Sequence, residues 1–255
     1  MDVCVGIAIA LIAFCAEYTD STLGMGYGTL LTPVLLLFGY SPLQVVPAIL
    51  LSELITGLLS AAGHHRAGNV NLKMLGGASK HSKVAIVLGL FSIIGVVVAV
   101  ALALNLPKFW LKLYIGMLVT LLGIAILVKR NKTYPFSWLK ICVLGAVASM
   151  NKGMSGGGYG PLVVSGQMLS GVETKAAIGV TSLAEGLTCA VGLAAYWIVG
   201  TGIDWTLAPW LVCGAVVSII PSVWTVRRLP ARSMTVVVGI VTLILGMVTL
   251  VRLVS

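Results

Sequence analysis

Charged residues are scarce in this chain, and their scarcity excludes an ordinary soluble domain. Only 9% of the 255 residues are Asp, Glu, Lys or Arg, whereas soluble domains average about 25%. The mean hydropathy is correspondingly high, at +1.09. The apolar runs are continuous and about 15–25 residues long, unlike the alternating ten-residue segments of an outer-membrane barrel. The composition therefore predicts an all-α integral membrane protein without a separate soluble domain.

Residues suited to catalysis or metal binding are few, and their spacing fits neither role. The five cysteines lie inside apolar runs without ligand spacing, as expected of core residues. His64 and His65 precede Arg66, and this triplet is interpreted as a solvated cluster at the membrane interface. The sequence has no G-x-S-x-G, H-E-x-x-H or Walker motif. We therefore expect no enzymatic activity, no metal and no cofactor.

The net charge of +9 does not indicate nucleic-acid binding, because the basic residues lie at the ends of apolar runs. They concentrate in three loops, at 66–83, 129–140 and 227–232. If these loops are cytoplasmic, as the positive-inside rule requires, 12 of the 16 basic residues lie inside, counting Lys175. The protein is then expected in the cell (inner) membrane, with both termini on its outer side. The N-terminus has no basic stretch typical of a signal peptide, so it is expected to form the first helix of the mature protein.

The chain contains an internal repeat. The stretches 23–30 and 155–162 share the pattern G-x-G-Y-G-x-L and lie 132 residues apart, and at this offset 12 of the 49 positions from 20 to 68 are identical. A weaker match at an offset of 123 relates Gly116 to Gly239 and Gly123 to Gly246. A duplicated membrane chain with glycine-broken segments at matching places is typical of secondary transporters.

The repeat divides the chain into two transmembrane halves, 1–128 and 138–255, joined by the polar linker 129–137. Each half contains five apolar segments, and this odd number makes the halves antiparallel, as in an inverted repeat. In each half the first two segments are either full spans or a re-entrant hairpin, and the sequence leaves this open. The ten predicted segments are 3–18, 23–38, 44–62, 83–104, 110–128, 138–150, 156–170, 174–199, 206–226 and 232–253.

The two glycine-rich breaks are candidate substrate sites. Irregular backbone at membrane depth is tolerated where protein or a water-filled cavity surrounds it. The helix that restarts after a break points its positive end at the gap, which suits an anion. The alternative is that the glycines only allow close helix packing. The candidate substrate-binding residues are Ser21, Thr22, Gly24, Gly26, Gly28, Asn151, Lys152, Ser155, Gly156, Gly157 and Gly158.

Asp20 and Lys152 occupy equivalent positions in the two repeats. Lys152 either reaches the membrane interface or faces the cavity and neutralises an anion. Its equivalent, Asp20, is interpreted as a solvated loop charge. Because symmetry does not require a cation at this position, the difference between the two residues favours an anionic substrate.

Glu53 and Glu185 are interpreted as the only acids well inside apolar helices. Carboxylates within a membrane are costly unless paired or protonated, so both are candidates for carrying a proton or forming a gate. The alternative is a hydrogen-bonded glutamate that holds helices together. Each lies on a polar stripe at helical spacing, and the stripes add Thr56, Thr181, Ser182 and Thr188 as candidates.

Taken together, these motifs resemble the TauE/SafE sulfite exporter family (TSUP). The resemblance rests on the duplicated glycine stretch and the polar helix after it. It also rests on the segments Gly-Asn-Val-Asn at 68–71 and Gly-Thr-Gly-Ile-Asp-Trp at 200–205, and on the Leu-Pro before the last helix of each half. It covers almost the whole chain. It implies transport of small sulfur-containing anions, such as sulfite or sulfoacetate, across the inner membrane, whereas the residues themselves support only a small anion.

We therefore expect a secondary transporter, and more specifically an exporter, that works by alternating access and can be proton-coupled. One alternative is a carrier of a cation or metal ion that uses Glu53, Glu185 and Asp20. Another is a membrane scaffold without transport activity. The expected partners are the anion and membrane lipid, a homodimer is compatible with the pattern, and no nucleic acid is expected.

Overall fold

The computed structural model describes residues 3–73, 77–103, 108–129, 135–155, 159–198 and 202–254. The described parts form an all-helical bundle, as predicted, and contain no strand. The helices are α1 (Val3–Leu23), α2 (Tyr27–Leu37), α3 (Pro42–Arg66), α4 (Lys80–Ala103), α5 (Lys108–Lys129), α6 (Trp138–Ser155), α7 (Tyr159–Leu169), α8 (Thr174–Ile198), α9 (Ala208–Arg228) and α10 (Ala231–Val254). Five of them are long and apolar enough to cross a membrane within the described residues: α1, α3, α8, α9 and α10.

Helices α1 and α6 extend well past the ends that their apolar runs predicted. The run that was expected to end at 18 continues as α1 to Leu23, and the run expected to end at 150 continues as α6 to Ser155. Polar residues mark the end of each run in the sequence. In α1 these polar residues are covered by protein rather than lipid, since Glu17, Ser21 and Thr22 are all buried. The boundary of an apolar run is therefore not the boundary of the helix.

Helices α2 and α7 are too short to span a bilayer. Each has 11 residues, or about 16 Å at 1.5 Å per residue, against about 30 Å of hydrocarbon. The backbone N–H of Ser137, before α6, donates to the carbonyl of Ser170, after α7. The α6–α7 hairpin therefore starts and ends at the same end of the bundle, as either two spans or a re-entrant hairpin would.

Equivalent helices of the two halves pack against each other in antiparallel pairs. In the α3–α8 pair, Leu50 lies against Gly192 and Ser60 bonds to Ser182. Residue numbers therefore increase along α3 as they decrease along α8, so the two helices are antiparallel. In the α5–α10 pair, Gly116 lies against Leu250, Gly123 against Leu243, Thr120 against Gly246 and Leu127 against Gly239.

The contacts between α5 and α10 are reciprocal at the repeat offset of 123 residues. The other helices show the same exchange, because α1 packs on α9 while their counterparts α6 and α4 pack on each other. This arrangement is consistent with two halves of inverted topology related by a two-fold axis.

Most described basic residues lie at one end of the bundle, called here the basic side. It is defined by Arg66 at the end of α3, Lys80 at the start of α4, Lys175 at the start of α8 and Arg227 and Arg228 at the end of α9. Lys175 Nζ donates to the Arg227 carbonyl at 3.1 Å, and Lys80 Nζ lies 3.6 Å from the centroid of the Phe136 ring. The first contact joins the start of α8 to the end of α9, and the second joins the start of α4 to the loop before α6.

The opposite end of the bundle carries Asp204. Its carboxylate accepts hydrogen bonds from the backbone N–H groups of Thr206 and Leu207, just before α9, so it caps this turn. The Thr206 hydroxyl also donates to it and lowers the pKa of the Asp204 carboxyl. Gln44 Nε2 donates to the second carboxylate oxygen at 2.9 Å, which ties the start of α3 to this turn.

Candidate functional site

A small cavity at the junction of α1, α3 and α8 is the candidate site. Its volume is about 10 Å³, which is at the lower limit for holding one water molecule. Four of the seven acidic residues of the chain line it, and no basic residue is among the lining residues. We call it the carboxylate cavity, and its lining consists of Glu17, Asp20, Glu53, Thr56, Gly57, Ser182 and Glu185.

Glu17 is held by hydroxyl groups from two helices. The Ser21 hydroxyl, one turn further along α1, donates to Glu17 Oε1 at 2.6 Å. The Thr56 hydroxyl of α3 lies 3.1 Å from Glu17 Oε2 and 2.9 Å from the Ser52 carbonyl, and its single proton can serve one of these acceptors at a time. Glu17 is only 2% exposed. Both of its oxygens are therefore oriented within the protein without a cation in contact among the described residues.

Asp20 closes the break between α1 and α2. Its Oδ1 accepts a hydrogen bond from the backbone N–H of Tyr27, the first residue of α2, at 3.2 Å. A carboxylate at a helix N-terminus is favourable for both the free N–H group and the helix dipole. In the first repeat, the Asp20 carboxylate therefore occupies the N-terminus of α2, where the sequence predicted that a substrate anion would bind.

The break itself depends on glycine. Gly24 and Gly26 have φ values of +72° and +134°, a region that other residues rarely adopt. Gly24 packs against Val164 of α7, and a Cβ on Gly160 would lie 2.5 Å from the Gly24 carbonyl oxygen. The first break thus contacts the start of α7, which follows the second break.

Glu53 and Glu185 lie where the antiparallel helices α3 and α8 cross. They are 5% and 7% exposed. The Cys189 thiol donates to Glu53 Oε2 at 3.2 Å, so α8 contributes a polar contact to the α3 carboxylate. The crossing is close, because a Cβ on Gly57 would lie 2.7 Å from the Ser182 carbonyl oxygen. Small residues at this crossing bring the carboxylates of both halves to one cavity.

Comparison with known proteins identifies the family. The model of the family described as "Sulfite exporter TauE/SafE" matches residues 9–249, almost the entire chain. The chain belongs to the TauE/SafE sulfite exporter family. It is also 27% identical over 247 residues to the probable membrane transporter protein YtnM of Bacillus subtilis (strain 168), covering 91% of this chain and 78% of that protein. The chain is thus a multi-pass membrane protein of a transporter family, and the carboxylate cavity is the candidate functional site of this TauE/SafE protein.

The structure brings four of the six predicted coupling or gating residues to the cavity of this TauE/SafE protein. Glu53, Thr56, Ser182 and Glu185 line it. Thr181 and Thr188 are buried on α8 outside the lining, where their hydroxyls donate to the carbonyls of Ala177 and Ala184.

The predicted substrate residues of the first repeat surround the first break. Gly24 and Gly26 form the break, and Gly28 lies in the first turn of α2. Ser21 uses its hydroxyl on Glu17, and the buried Thr22 hydroxyl has no hydrogen-bond partner among the described residues.

The predicted substrate residues of the second repeat are only partly described. Asn151, Lys152 and Ser155 lie in the last turns of α6, so Lys152 is helical rather than part of a loop. The side chains of these three residues lie outside the described part of the structure. Gly156, Gly157 and Gly158 lie entirely outside the described residues.

Two interpretations of charged or polar residues were wrong. Asp20 is not a solvated loop charge, because it lies in the last turn of α1 and lines the cavity. His64 is not part of a solvated cluster, since it is fully buried, although its neighbours His65 and Arg66 are exposed. In both cases tertiary packing covers a residue that lies near the end of an apolar run.

Glu17 was missed as a site residue, and Glu53 and Glu185 are therefore not the only acids inside the helices. A signal was available in the sequence, because Glu17 lies within the first apolar run and four residues before Ser21. This spacing places a carboxylate and a hydroxyl on one helix face.

Proposed function

We propose that this protein is a proton-coupled secondary transporter that exports small sulfur-containing anions, such as sulfite or sulfoacetate, across the inner membrane by alternating access. The family match supports transport and this substrate class. The observation that carries the proton coupling is the cavity lined by four carboxyl groups.

The reason is electrostatic. Removing an ionised group from water costs several kcal/mol per ion unless a countercharge compensates it, and like charges at one site oppose each other's ionisation. An anion arriving near four ionised carboxylates would add to this repulsion. We therefore expect the anion to bind only when carboxyl groups of the carboxylate cavity carry protons. The anion and the protons then cross the membrane together in the same direction, as in a symporter.

The second break is proposed as the anion seat. In the first repeat, Asp20 accepts from the N-terminus of α2. The residue at the equivalent position of the second repeat is Lys152. The sequence position that holds a carboxylate before α2 therefore holds a cation before α7. A helix N-terminus and a lysine together suit an anion. Glu53 and Glu185, which occupy equivalent positions in the two repeats, would couple this anion seat to the carboxylate cavity.

Export requires that the coupled movement be downhill. With the cell interior negative, each net negative charge that leaves gains about 2.3 kcal/mol per 100 mV. A dianion that leaves with one proton carries one net negative charge outward, which the membrane potential favours, while an alkaline interior opposes the proton's exit. Export is therefore downhill when the membrane potential and the outward anion gradient together exceed the pH gradient. The protein is proposed to act without catalysis.

Proteoliposomes that contain the purified protein and a trapped pH-sensitive dye test the coupling. Sulfoacetate added outside should acidify the lumen, because protons enter with the anion. Glu53→Gln or Glu185→Gln should abolish the acidification while exchange of labelled for unlabelled sulfoacetate continues. The matched control is Glu173→Gln, which removes an exposed carboxylate outside the cavity lining. Anion uptake without any change in lumen pH in the wild type would contradict the proposal.

A cation carrier is the second candidate, since a cavity lined by four carboxyl groups favours a cation. Among the described residues, however, no group of three or more His, Cys, Asp or Glu is arranged to hold a metal ion. Charge reversal at one position separates the candidates. Lys152→Glu should abolish anion exchange if an anion binds at the second break, whereas a cation carrier should retain its transport.

A further inference from the structure

One polar cluster links three helices between the carboxylate cavity and the basic side. His64 Nε2 lies 2.9 Å from the carbonyl oxygen of Ser21 on α1. Asn69 Nδ2 lies 3.0 Å from His64 Nδ1 and 3.2 Å from the carbonyl oxygen of Val223 on α9. We call these four residues, Ser21, His64, Asn69 and Val223, the His64 clasp. It connects α1, the end of α3 and α9 through one imidazole ring and one amide.

The partners of His64 define its tautomer. The Ser21 carbonyl can only accept a hydrogen bond, so Nε2 carries the proton and donates. The Asn69 amide nitrogen donates to Nδ1, so Nδ1 is the acceptor. Both ring nitrogens of the neutral imidazole are therefore used, and each holds a different segment of the chain. His64 is fully buried, so bulk water does not reach these bonds in the closed arrangement.

The clasp lies on the route from the cavity to the basic side. Along α3, His64 follows Gly57 of the cavity lining by seven residues, or about 10 Å, and the exposed Arg66 follows two residues later. On α1, Ser21 directly follows Asp20 of the lining. Beside the clasp, the Tyr18 hydroxyl bonds to the Thr225 hydroxyl at 2.8 Å and adds a second link between α1 and α9.

The opposite route from the cavity is closed differently. It is filled by an apolar cluster of α1, α2, α3 and α9 that includes Ile9, Leu31, Ile49 and Leu211, each at most 4% exposed. Separating such a cluster exposes apolar surface to water, at about 25 cal/mol per Å². Separating the clasp instead exchanges protein hydrogen bonds for bonds to water, so the net cost is small. The clasp end also contains buried apolar residues, among them Leu23, Val70 and Val226. The hydrogen bonds of the clasp, rather than a lack of apolar packing, therefore distinguish this side of the cavity.

We propose that the His64 clasp is the gate between the carboxylate cavity and the basic side, and that His64 is the residue that holds it closed. The inference rests on the proposed transport function. It adds the location of the gate and the residue that controls it. In opening, the ends of α1 and α9 separate from His64 and Asn69 and from the apolar residues packed beside them, which exposes Glu17 and Asp20 to water from the basic side.

The native thiol of Cys189 reports the opening, because it bonds to Glu53 of the cavity lining and is fully buried in the closed arrangement. The other four cysteines are replaced by serine in the full-length chain. Membrane vesicles of each orientation are treated with MTSET, a cationic thiol reagent that does not cross membranes. Arg66→Cys, added to the same background, identifies the preparation that exposes the basic side.

The expected result is faster modification of Cys189 from the basic side when the clasp is broken. His64→Ala removes two hydrogen bonds from the closed state and should raise the rate about tenfold. His64→Gln retains an amide donor for the Ser21 carbonyl and should restore most of the protection. Asn69→Ala leaves the His64–Ser21 bond and should give an intermediate rate, which provides a second test if His64→Ala does not fold.

Two control variants distinguish the gate from general loosening of the fold. His65→Ala alters the adjacent, exposed histidine, and Tyr27→Phe removes a bond to Ser52 on the far side of the cavity. Both should leave modification from the basic side within about twofold of the parent rate. An unchanged rate in His64→Ala and Asn69→Ala, or an equal increase from both sides, would overturn the gate. The lumen-acidification assay is independent of this labelling, so failure of the gate leaves the transport proposal standing.

Discussion

The crossing of α3 and α8 provides a sharp quantitative test, because two glycines there differ in the space around them. An added Cβ at Gly57 would lie 2.7 Å from the Ser182 carbonyl oxygen, and one at Gly186 would lie 3.4 Å from the Leu58 backbone nitrogen. The first distance is shorter than Cβ contacts normally are, whereas the second is an ordinary contact. Gly57→Ala therefore forces the helices about 0.7 Å apart, and Gly186→Ala does not.

The expected difference follows from packing, since helix propensity cancels in the comparison. Alanine in a helix interior gains about 1 kcal/mol over glycine at either position. Overpacking at Gly57 costs about 1–3 kcal/mol. Gly57→Ala should therefore be less stable than Gly186→Ala by about 1–3 kcal/mol, as measured by SDS titration of the protein in mixed micelles. Equal stabilities would refute the close crossing of α3 and α8 and, with it, the geometry of the carboxylate cavity.

Three further predictions concern the ends and the breaks of the helices. Tyr27→Phe leaves the buried Ser52 hydroxyl without its 2.6 Å partner and should lower the free energy of unfolding by about 1–3 kcal/mol in SDS titration; no loss would contradict the bond. Gly24→Ala should destabilise more than Gly39→Ala, because both have positive φ but only Gly24 lies against Val164; equal losses in thermal unfolding would show that the break is not packed. Asp204 has a lowered pKa, so its stabilisation is present above its unfolded pKa of about 3.9 and is lost as pH falls through the folded value. Asp204→Asn should therefore show a weaker loss of melting temperature below about pH 4, and an unchanged acid dependence would contradict the cap.

The sequence alone predicted the fold class and the number of helices, because both depend on local composition. Continuous apolar runs separated by glycine, proline and basic loops gave ten segments, and each corresponds to one of the ten helices of the described residues, with α1 and α6 longer than their runs. The transporter family was also recognised from the repeat and is confirmed by the family match. The structure adds that residues matched at an offset of 123 make equivalent contacts, since Gly116 and Gly239 pack on equivalent leucines of the opposite half.

The site was only partly predictable, because hydropathy does not distinguish lipid from protein as the environment of a residue. Glu53 and Glu185 stand out in their apolar helices. Glu17, Asp20 and His64 instead lie near the ends of apolar runs, where charged residues normally face water. Their burial results from contacts with helices distant in sequence, such as the Thr56–Glu17 bond across 39 residues. Apart from the four-residue spacing of Glu17 and Ser21, these contacts leave no local pattern in the sequence.

The central claim is that protons and anion move together, and an experiment without an anion gradient tests it most directly. Proteoliposomes are loaded with labelled sulfoacetate at the same concentration inside and outside, with the membrane potential clamped by potassium and valinomycin. The external medium is then acidified. The account predicts accumulation of sulfoacetate in the lumen against its gradient, and its loss when a protonophore is added. Unchanged sulfoacetate, or its accumulation on the acidic side, would contradict the account.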